Sequence, residues 1–214
     1  MKKRNVKILR AALLLLFCFV VWTVLVRLVD VQPIGPRGSA VGLATLNGRM
    51  HALTGVHMGL YTVTDWLGLV PIAVALGFVL LGLVQWIKRK SLLKVDRSIF
   101  ALGGFYLAVM AVYLLFEVIV INRRPVLIDG YLEASYPSST TLLVMCVMPT
   151  AAMQLQERIK GTVLRRCALG VIAAFIAFMV VGRLVCGVHW LSDIIGGALL
   201  SAGLVLMYRA ICSL

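Results

Sequence analysis

Gly182-Arg183-Leu184-Val185-Cys186-Gly187-Val188-His189-Trp190-Leu191-Ser192-Asp193 joins two long apolar runs, residues 167–188 and 191–208, through a short polar seam. Two such runs separated by a few residues read as helices that cross a bilayer and turn straight back. Arg, His and Asp at the seam of apolar segments are costly to hold there, so together they mark a functional site. Spacing adds chemistry. In a helical turn, residues four apart share a face, so the Asp193 carboxylate is expected to reach one imidazole nitrogen of His189 and leave the other free to attack.

Outward from this seam the whole chain has the same character. Its 214 residues are 62% hydrophobic and 14% charged, unlike a soluble globular domain. Apolar stretches near the roughly 17–25 residues needed to span a bilayer occur at 8–29, 67–87, 99–121, 139–155, 167–188 and 191–208. The expected fold is therefore all-α, a six-transmembrane-helix bundle forming a single domain over residues 1–214. The first run ends in Arg27-Leu28-Val29-Asp30 without a small-residue cleavage pattern, so it reads as a retained anchor rather than a signal peptide. Arg10 and Arg27 near its ends can snorkel to the two interfaces.

The net charge of +13 does not point to nucleic acid, because the basic residues fall in alternating gaps. Lys2, Lys3, Arg4, Lys7 and Arg10 come before or early in the first run. Lys88, Arg89, Lys90, Lys94 and Arg97 follow the second, Arg158, Lys160, Arg165 and Arg166 the fourth, and Arg209 the sixth. This positive-inside pattern makes both termini cytoplasmic, in a multi-pass protein of the plasma membrane. The opposite side uses Arg37, Arg49, Arg123, Arg124 and Arg183, arginines whose planar fork suits phosphate. Five scattered cysteines lack metal-ligand spacing, so neither a zinc site nor a disulfide framework is expected.

The polar interest gathers on the outer side. The interval 30–66 between the first two runs holds His51 and His57, and its Leu46, Met50, Leu53 and His57 are spaced as one stripe of a short interfacial helix. Arg123-Arg124-Pro125 follows the third run, where it is either interfacial anchoring or an anion site shared with Arg183. Tyr136-Pro137-Ser138-Ser139-Thr140-Thr141 opens the fourth. Its hydroxyls either cap the helix or, with the exposed N–H groups of the first turn, cradle an anion.

These segments resemble the membrane-bound type-2 phosphatidic acid phosphatase family, whose pattern is Lys-x6-Arg-Pro, Pro-Ser-Gly-His and Ser-Arg-x5-His-x3-Asp. Arg183, His189 and Asp193 match the third part, with Gly182 where Ser is usual and Ile194-Ile195-Gly196-Gly197 similar beyond it. Arg124-Pro125 match the first, with Glu117 at the lysine position. Pro137-Ser138 match the second, with Ser139 for Gly and Thr140 for His. The resemblance covers residues 117–197.

It implies hydrolysis of a lipid phosphate or diphosphate at the extracytoplasmic face, without metal or other cofactor, through a phosphohistidine intermediate. His189 would be the nucleophile, Asp193 its orienting partner, and Arg124 and Arg183 the phosphate clamp, with Ser138, Ser139 and Thr140 at the phosphate. Undecaprenyl diphosphate fits best, with phosphatidate or phosphatidylglycerol phosphate as alternatives.

Thr140 cannot protonate a leaving group at neutral pH. The substitute is another acid, with His51, His57 and Glu117 as candidates, or a leaving group that needs little protonation, as a phosphate monoester with a second pKa of about 6 does. Glu117 either pairs with Arg123 or, protonated, donates to the substrate. The alternative function is a weak or inactive relative that binds or transports lipid phosphates. A pure binder has no use for a carboxylate-oriented imidazole, which favours the enzyme. Oligomeric state is open.

Overall fold

The computed structural model describes residues 2–212; Met1, Ser213, Leu214 and the side chains of Lys2 and Lys3, two of the basic residues counted above, lie outside the described residues. The described chain is helical: α1 Lys2–Leu28, α2 Ala44–Thr54, α3 Met58–Leu67, α4 Leu69–Arg89, α5 Arg97–Val118, α6 Ser139–Arg158, α7 Thr162–Val185 and α8 Leu191–Cys212. Among the described residues, β structure is confined to isolated bridges in the loops.

Among the described residues, five helices are long and apolar enough to cross a membrane: Arg4–Leu28, Met58–Arg89, Arg97–Val118, Thr162–Val185 and Leu191–Cys212. They carry the solvent-facing character of a lipid-exposed protein. Leu13, Leu14 and Phe17 of α1 and Val79, Leu80 and Ile87 of α4 are all exposed, a surface suited to hydrocarbon and aggregation-prone in water. This is a multi-pass membrane protein.

One of the six runs differs in character from the others. The fourth run, 139–155, forms α6 but is not among the five apolar helices. Thr141, Thr150 and Gln154 are buried along it, because α6 lies among its neighbours and meets protein rather than lipid. It runs parallel to α8. Ser138 N–H donates to the Asp193 carbonyl (3.1 Å), Ser201 Oγ to the Leu142 carbonyl (3.3 Å), and Gln154 Nε2 to the Tyr208 hydroxyl (3.0 Å).

The interval 30–66 is shorter than expected. Helix begins at Met58 rather than Leu67 and continues through Gly68 into α4. Within the interval, α2 does form, but it is anchored by buried Ala44 and Asn47 while Leu46 and Leu53 are exposed; His57 lies beyond it.

Loops that are far apart in sequence meet at one end of the bundle. Asn47 Nδ2 donates to Ser192 Oγ (2.9 Å), Asn47 Oδ1 accepts from Ser192 N–H (3.0 Å), and Trp22 Nε1 of α1 donates to the Ser192 carbonyl (3.0 Å). Asn122 Oδ1 accepts from Gly42 N–H (3.1 Å). The other end holds the basic residues around Asp96, which pairs with Arg89 (2.8 Å) and Arg158 (3.7 Å).

Glycines set the close approaches. A Cβ on Gly196 would stand 2.6 Å from the Tyr136 ring, and one on Gly197 3.2 Å from the Ser138 carbonyl, so this pair lets the start of α6 lie directly on α8. Replacing Gly196 by Ala is expected to destabilise the protein by about 1–3 kcal/mol, the usual cost of overpacking. A lowered thermal unfolding midpoint in detergent checks this.

Candidate active site

The turn between α7 and α8 is built on Gly187, whose φ of +71° suits glycine and whose added Cβ would fall 1.9 Å from the Gly55 carbonyl oxygen. The tightness of this turn places His189 two positions before the first residue of α8 and against Ser135 of the loop 119–138. His189 and Arg183 are almost fully enclosed, at 3% and 1% exposure, and Asp193 is wholly buried.

Asp193 is held by four donors. Ser135 Oγ and the Trp190 N–H (2.9 Å) donate to Oδ2, and Asn122 Nδ2 (3.4 Å) and Ser192 Oγ (3.4 Å) approach Oδ1. The expected direct contact with His189 is not a hydrogen bond: Nδ1 lies 3.8 Å from Oδ2. The Ser135 hydroxyl stands between them, 3.0 Å from Nδ1.

On the other side of the ring, Arg183 Nη2 lies 3.4 Å from His189 Nε2. Arg183 is positioned by α3, whose contribution was not foreseen. Nη1 lies 3.4 Å from Thr64 Oγ1 and 3.6 Å from Asp65 Oδ1, and the guanidinium sits over the Tyr61 ring at 5.0 Å from its centroid. Gly182 permits this packing, since a Cβ there would stand 2.9 Å from Thr64 Cγ2. The glycine in place of the family's serine therefore lets α3 close on Arg183.

Arg124 is buried and ion-paired with Glu133, Nε to Oε2 at 3.0 Å. The approach is close but poorly aligned as a hydrogen bond. Arg124 Nε and Nη1 and Arg183 Nε are accordingly left without a hydrogen-bond acceptor though buried. Buried guanidinium donors without acceptors leave a large desolvation cost uncompensated, and an anion at the site would supply the missing partners. Both charges act on His189. Burial first, then the positive charges of Arg124 and Arg183, hold its imidazole well below the usual value of 6.5, opposed by a hydrogen bond to the Ser135 backbone. Both effects favour the neutral ring.

Other expected residues take more varied places. Ser138 caps α6 by accepting from the Thr141 N–H (3.4 Å). Ser139 lines a cleft with His189, Ser135 and Glu117, and Thr140 is half-buried in the first turn of α6. Arg123 braces the loop: Nη1 donates to the Leu132 carbonyl (2.9 Å), and its own carbonyl accepts from Trp190 Nε1 (2.7 Å). No ion pair joins it to Glu117 among the described residues, and Glu133 is the carboxylate that pairs with Arg124.

His51 Nε2 lies 3.1 Å from the Gly187 carbonyl and its ring packs on Trp190 (5.4 Å), so it supports the turn. His57 is exposed, with Nε2 2.9 Å from the Thr54 carbonyl. Among the described residues no group of three or more His, Cys, Asp or Glu side chains converges as a metal site.

Residues 102–212, slightly more than half of the chain, match the family model of the PAP2 superfamily. The chain belongs to the PAP2 superfamily. Its fold is similar to that of a crystal structure described as the first transmembrane PAP2 type phosphatidylglycerolphosphate phosphatase from Bacillus subtilis. The TM-score is 0.57 and the identity 17%, over 94% of this chain and 96% of that one. At that identity the likeness establishes a membrane PAP2 fold and leaves substrate to be argued from the site. No curated protein matches the chain.

In this PAP2 member, the matched region contains Arg124, Ser135, Arg183, His189 and Asp193, whereas Tyr61, Thr64 and Asp65 lie outside it. Ser135, Asn122 and the α3 residues were missed from sequence because single hydroxyl, amide and aromatic side chains carry no spacing signal. If the arginine pocket takes an anion, inorganic phosphate is expected to raise the unfolding temperature, with about 1.4 kcal/mol of stabilisation at ten times its dissociation constant. Arg124→Gln is expected to abolish the shift in a thermal titration.

Proposed function

We propose that this PAP2-superfamily protein is a membrane lipid phosphatase, acting as a single domain whose six helices, α6 included, cross the bilayer with both termini cytoplasmic. The observation that carries the reading is His189, neutral and enclosed, lying against one of two buried arginines whose charges both act on it and which keep unpartnered N–H groups. The positive-inside distribution supports placing this end of the bundle on the extracytoplasmic side of the plasma membrane.

The reaction follows from charge. His189 Nε2 attacks phosphorus, an N–P bond forms, and the P–O bond to the leaving group breaks with its electron pair on the departing oxygen. Water then attacks the phosphohistidine, the N–P pair returns to Nε2, and inorganic phosphate leaves. Arg124 and Arg183 stabilise the charge on the equatorial oxygens, and positioning with charge stabilisation is most of what phosphoryl transfer requires. No divalent ion is assigned to any step.

Thr140 supplies no proton, which favours a leaving group of low basicity. A lipid diphosphate expels a phosphate monoester whose second pKa is about 6, so undecaprenyl diphosphate is preferred to phosphatidate or phosphatidylglycerol phosphate. Glu117 lines the same cleft as His189, which supports it as the group that assists departure when protonated. The same two departures, Thr140 and Glu117, favour a second reading in which the protein binds or carries lipid phosphates without turnover.

The purified protein, assayed in detergent with EDTA against a panel of lipid mono- and diphosphates, separates these readings. Phosphate release that is fastest with the diphosphate and lost in His189→Ala, by at least about a thousandfold as for other nucleophile deletions, supports the enzyme. Phosphate binding without release supports the carrier, and release that survives His189→Ala rejects the mechanism.

The pH dependence has a definite sign. The reactive ring is the neutral one, and its pKa lies well below 6.5. Once the substrate's own ionisation is divided out, kcat/KM is therefore expected to stay level from pH 8 to 6.5 and to fall only further into acid.

A further inference from the structure

We infer that Ser135 is a positioning residue, a hydroxyl relay through which Asp193 fixes the protonation site of His189 so that Nε2 carries the free electron pair. The relay is required by distance. Nδ1 and Oδ2 are 3.8 Å apart, too far for a hydrogen bond, while Ser135 Oγ is 3.0 Å from Nδ1 and within hydrogen-bond reach of Oδ2. All three side chains are buried, so water does not compete.

The direction of the relay follows from proton counting. Asp193 receives donors on both oxygens, from Ser135 and the Trp190 N–H on Oδ2 and from Asn122 and Ser192 on Oδ1, so its carboxylate is an acceptor throughout. A serine hydroxyl has one proton, and that proton is committed to Asp193. Ser135 Oγ can then only accept from His189, which places the ring proton on Nδ1. Nε2 is left unprotonated, and it is the nitrogen beside Arg183 Nη2.

The chain positions Ser135 for this purpose by several means. Its N–H donates to the Asn122 carbonyl (2.9 Å), and three residues later the Ser138 N–H is tied to the Asp193 carbonyl (3.1 Å). Between these anchors, Tyr136 packs over Gly196 and donates to or accepts from Thr23 Oγ1 at 2.7 Å. The segment is pinned to α1, to α8 and to the loop at 122, which holds the Ser135 backbone beside His189 and Asp193.

Without that hydroxyl the Nδ1 proton loses its side-chain acceptor and its link to Asp193, and the Ser135 backbone, which also bonds to the ring, is left as the remaining partner from this residue. The tautomer with Nε2 protonated, which cannot attack phosphorus, becomes competitive.

The chain has three histidines, His51, His57 and His189, so selective 15N-histidine labelling gives a spectrum simple enough to read, with His189→Ala identifying the His189 signals. At pH 7 in detergent the wild-type ring is expected to show a protonated Nδ1 and an unprotonated Nε2. Ser135→Ala is expected to shift the population towards protonated Nε2, and Ser135→Thr, which keeps the hydroxyl, to retain the wild-type pattern. A wild-type ring already protonated at Nε2, or an Ala variant with an unchanged tautomer, overturns the inference.

This readout needs no substrate. The kinetic consequence rests on the phosphatase reading above: Ser135→Ala should lower kcat by about ten- to a hundredfold, as loss of an outer hydrogen-bond partner does, with KM little changed. If His189→Ala retains turnover, the phosphohistidine reading fails. If His189→Ala is inactive while Ser135→Ala keeps both its rate and its tautomer, Ser135 alone is misassigned.

Discussion

The buried carboxylate of Asp193 is the constraint on which the site rests. An ionised group with no exposure survives in a bundle only if its lone pairs are met by donors. Here the donors come from separate parts of the chain: Ser135 and Asn122 from the loop after α5, the Trp190 N–H from the turn after α7, and Ser192 from α8 itself. Satisfying one charge thus requires these segments to meet. Asn47 extends the set to α2 through Ser192. Removing one donor leaves a buried charge short of a partner, at a cost of about 1–3 kcal/mol or more.

The two arginines obey the opposite logic. Their neighbours leave them incompletely satisfied. Each has one carboxylate at hand, Asp65 at 58% exposure for Arg183 and Glu133 at 44% for Arg124. Such partners keep the guanidinium groups in place while remaining in contact with water. Because Arg183 is almost fully enclosed and braced by Thr64 and Tyr61, it requires little reorganisation when an anion arrives. Preorganised charge of this kind is the largest contribution that a protein without other help can make to stabilising a developing phosphoryl charge. Burial and then these same charges depress the basicity of His189 and so favour its neutral form.

Lipid exposure explains how a chain this apolar accommodates such a polar end. The helices that face hydrocarbon, α1 and α4 above all, carry exposed Leu, Val and Phe. The polar network is confined to the end of the bundle where loops pack on one another. α6 lies among protein neighbours, and its Thr150 and Gln154 find partners in Tyr106 and Tyr208. Its composition is therefore that of an internal helix, and hydropathy alone underrates it.

Much of this protein was legible in its residues taken in order. Hydropathy runs depend only on composition within a window, and five of them became apolar membrane-length helices. The Arg183, His189 and Asp193 spacing announced a site because ionisable groups beside lipid demand a reason. The sequence did not decide which atoms touch. The four-residue spacing of His189 and Asp193 suggested a direct bond, yet their side chains stop 3.8 Å apart and Ser135, 54 positions from His189, completes the link. Likewise pairing with Arg123 was one of two roles open to Glu117, whereas the carboxylates that pair with the site arginines are Glu133 with Arg124 and Asp65 with Arg183. Local patterns encode which face of a helix is apolar and where the chain turns. Hydrogen-bond partners are chosen by the tertiary fold, because a bond a few ångströms long depends on how distant segments are brought together.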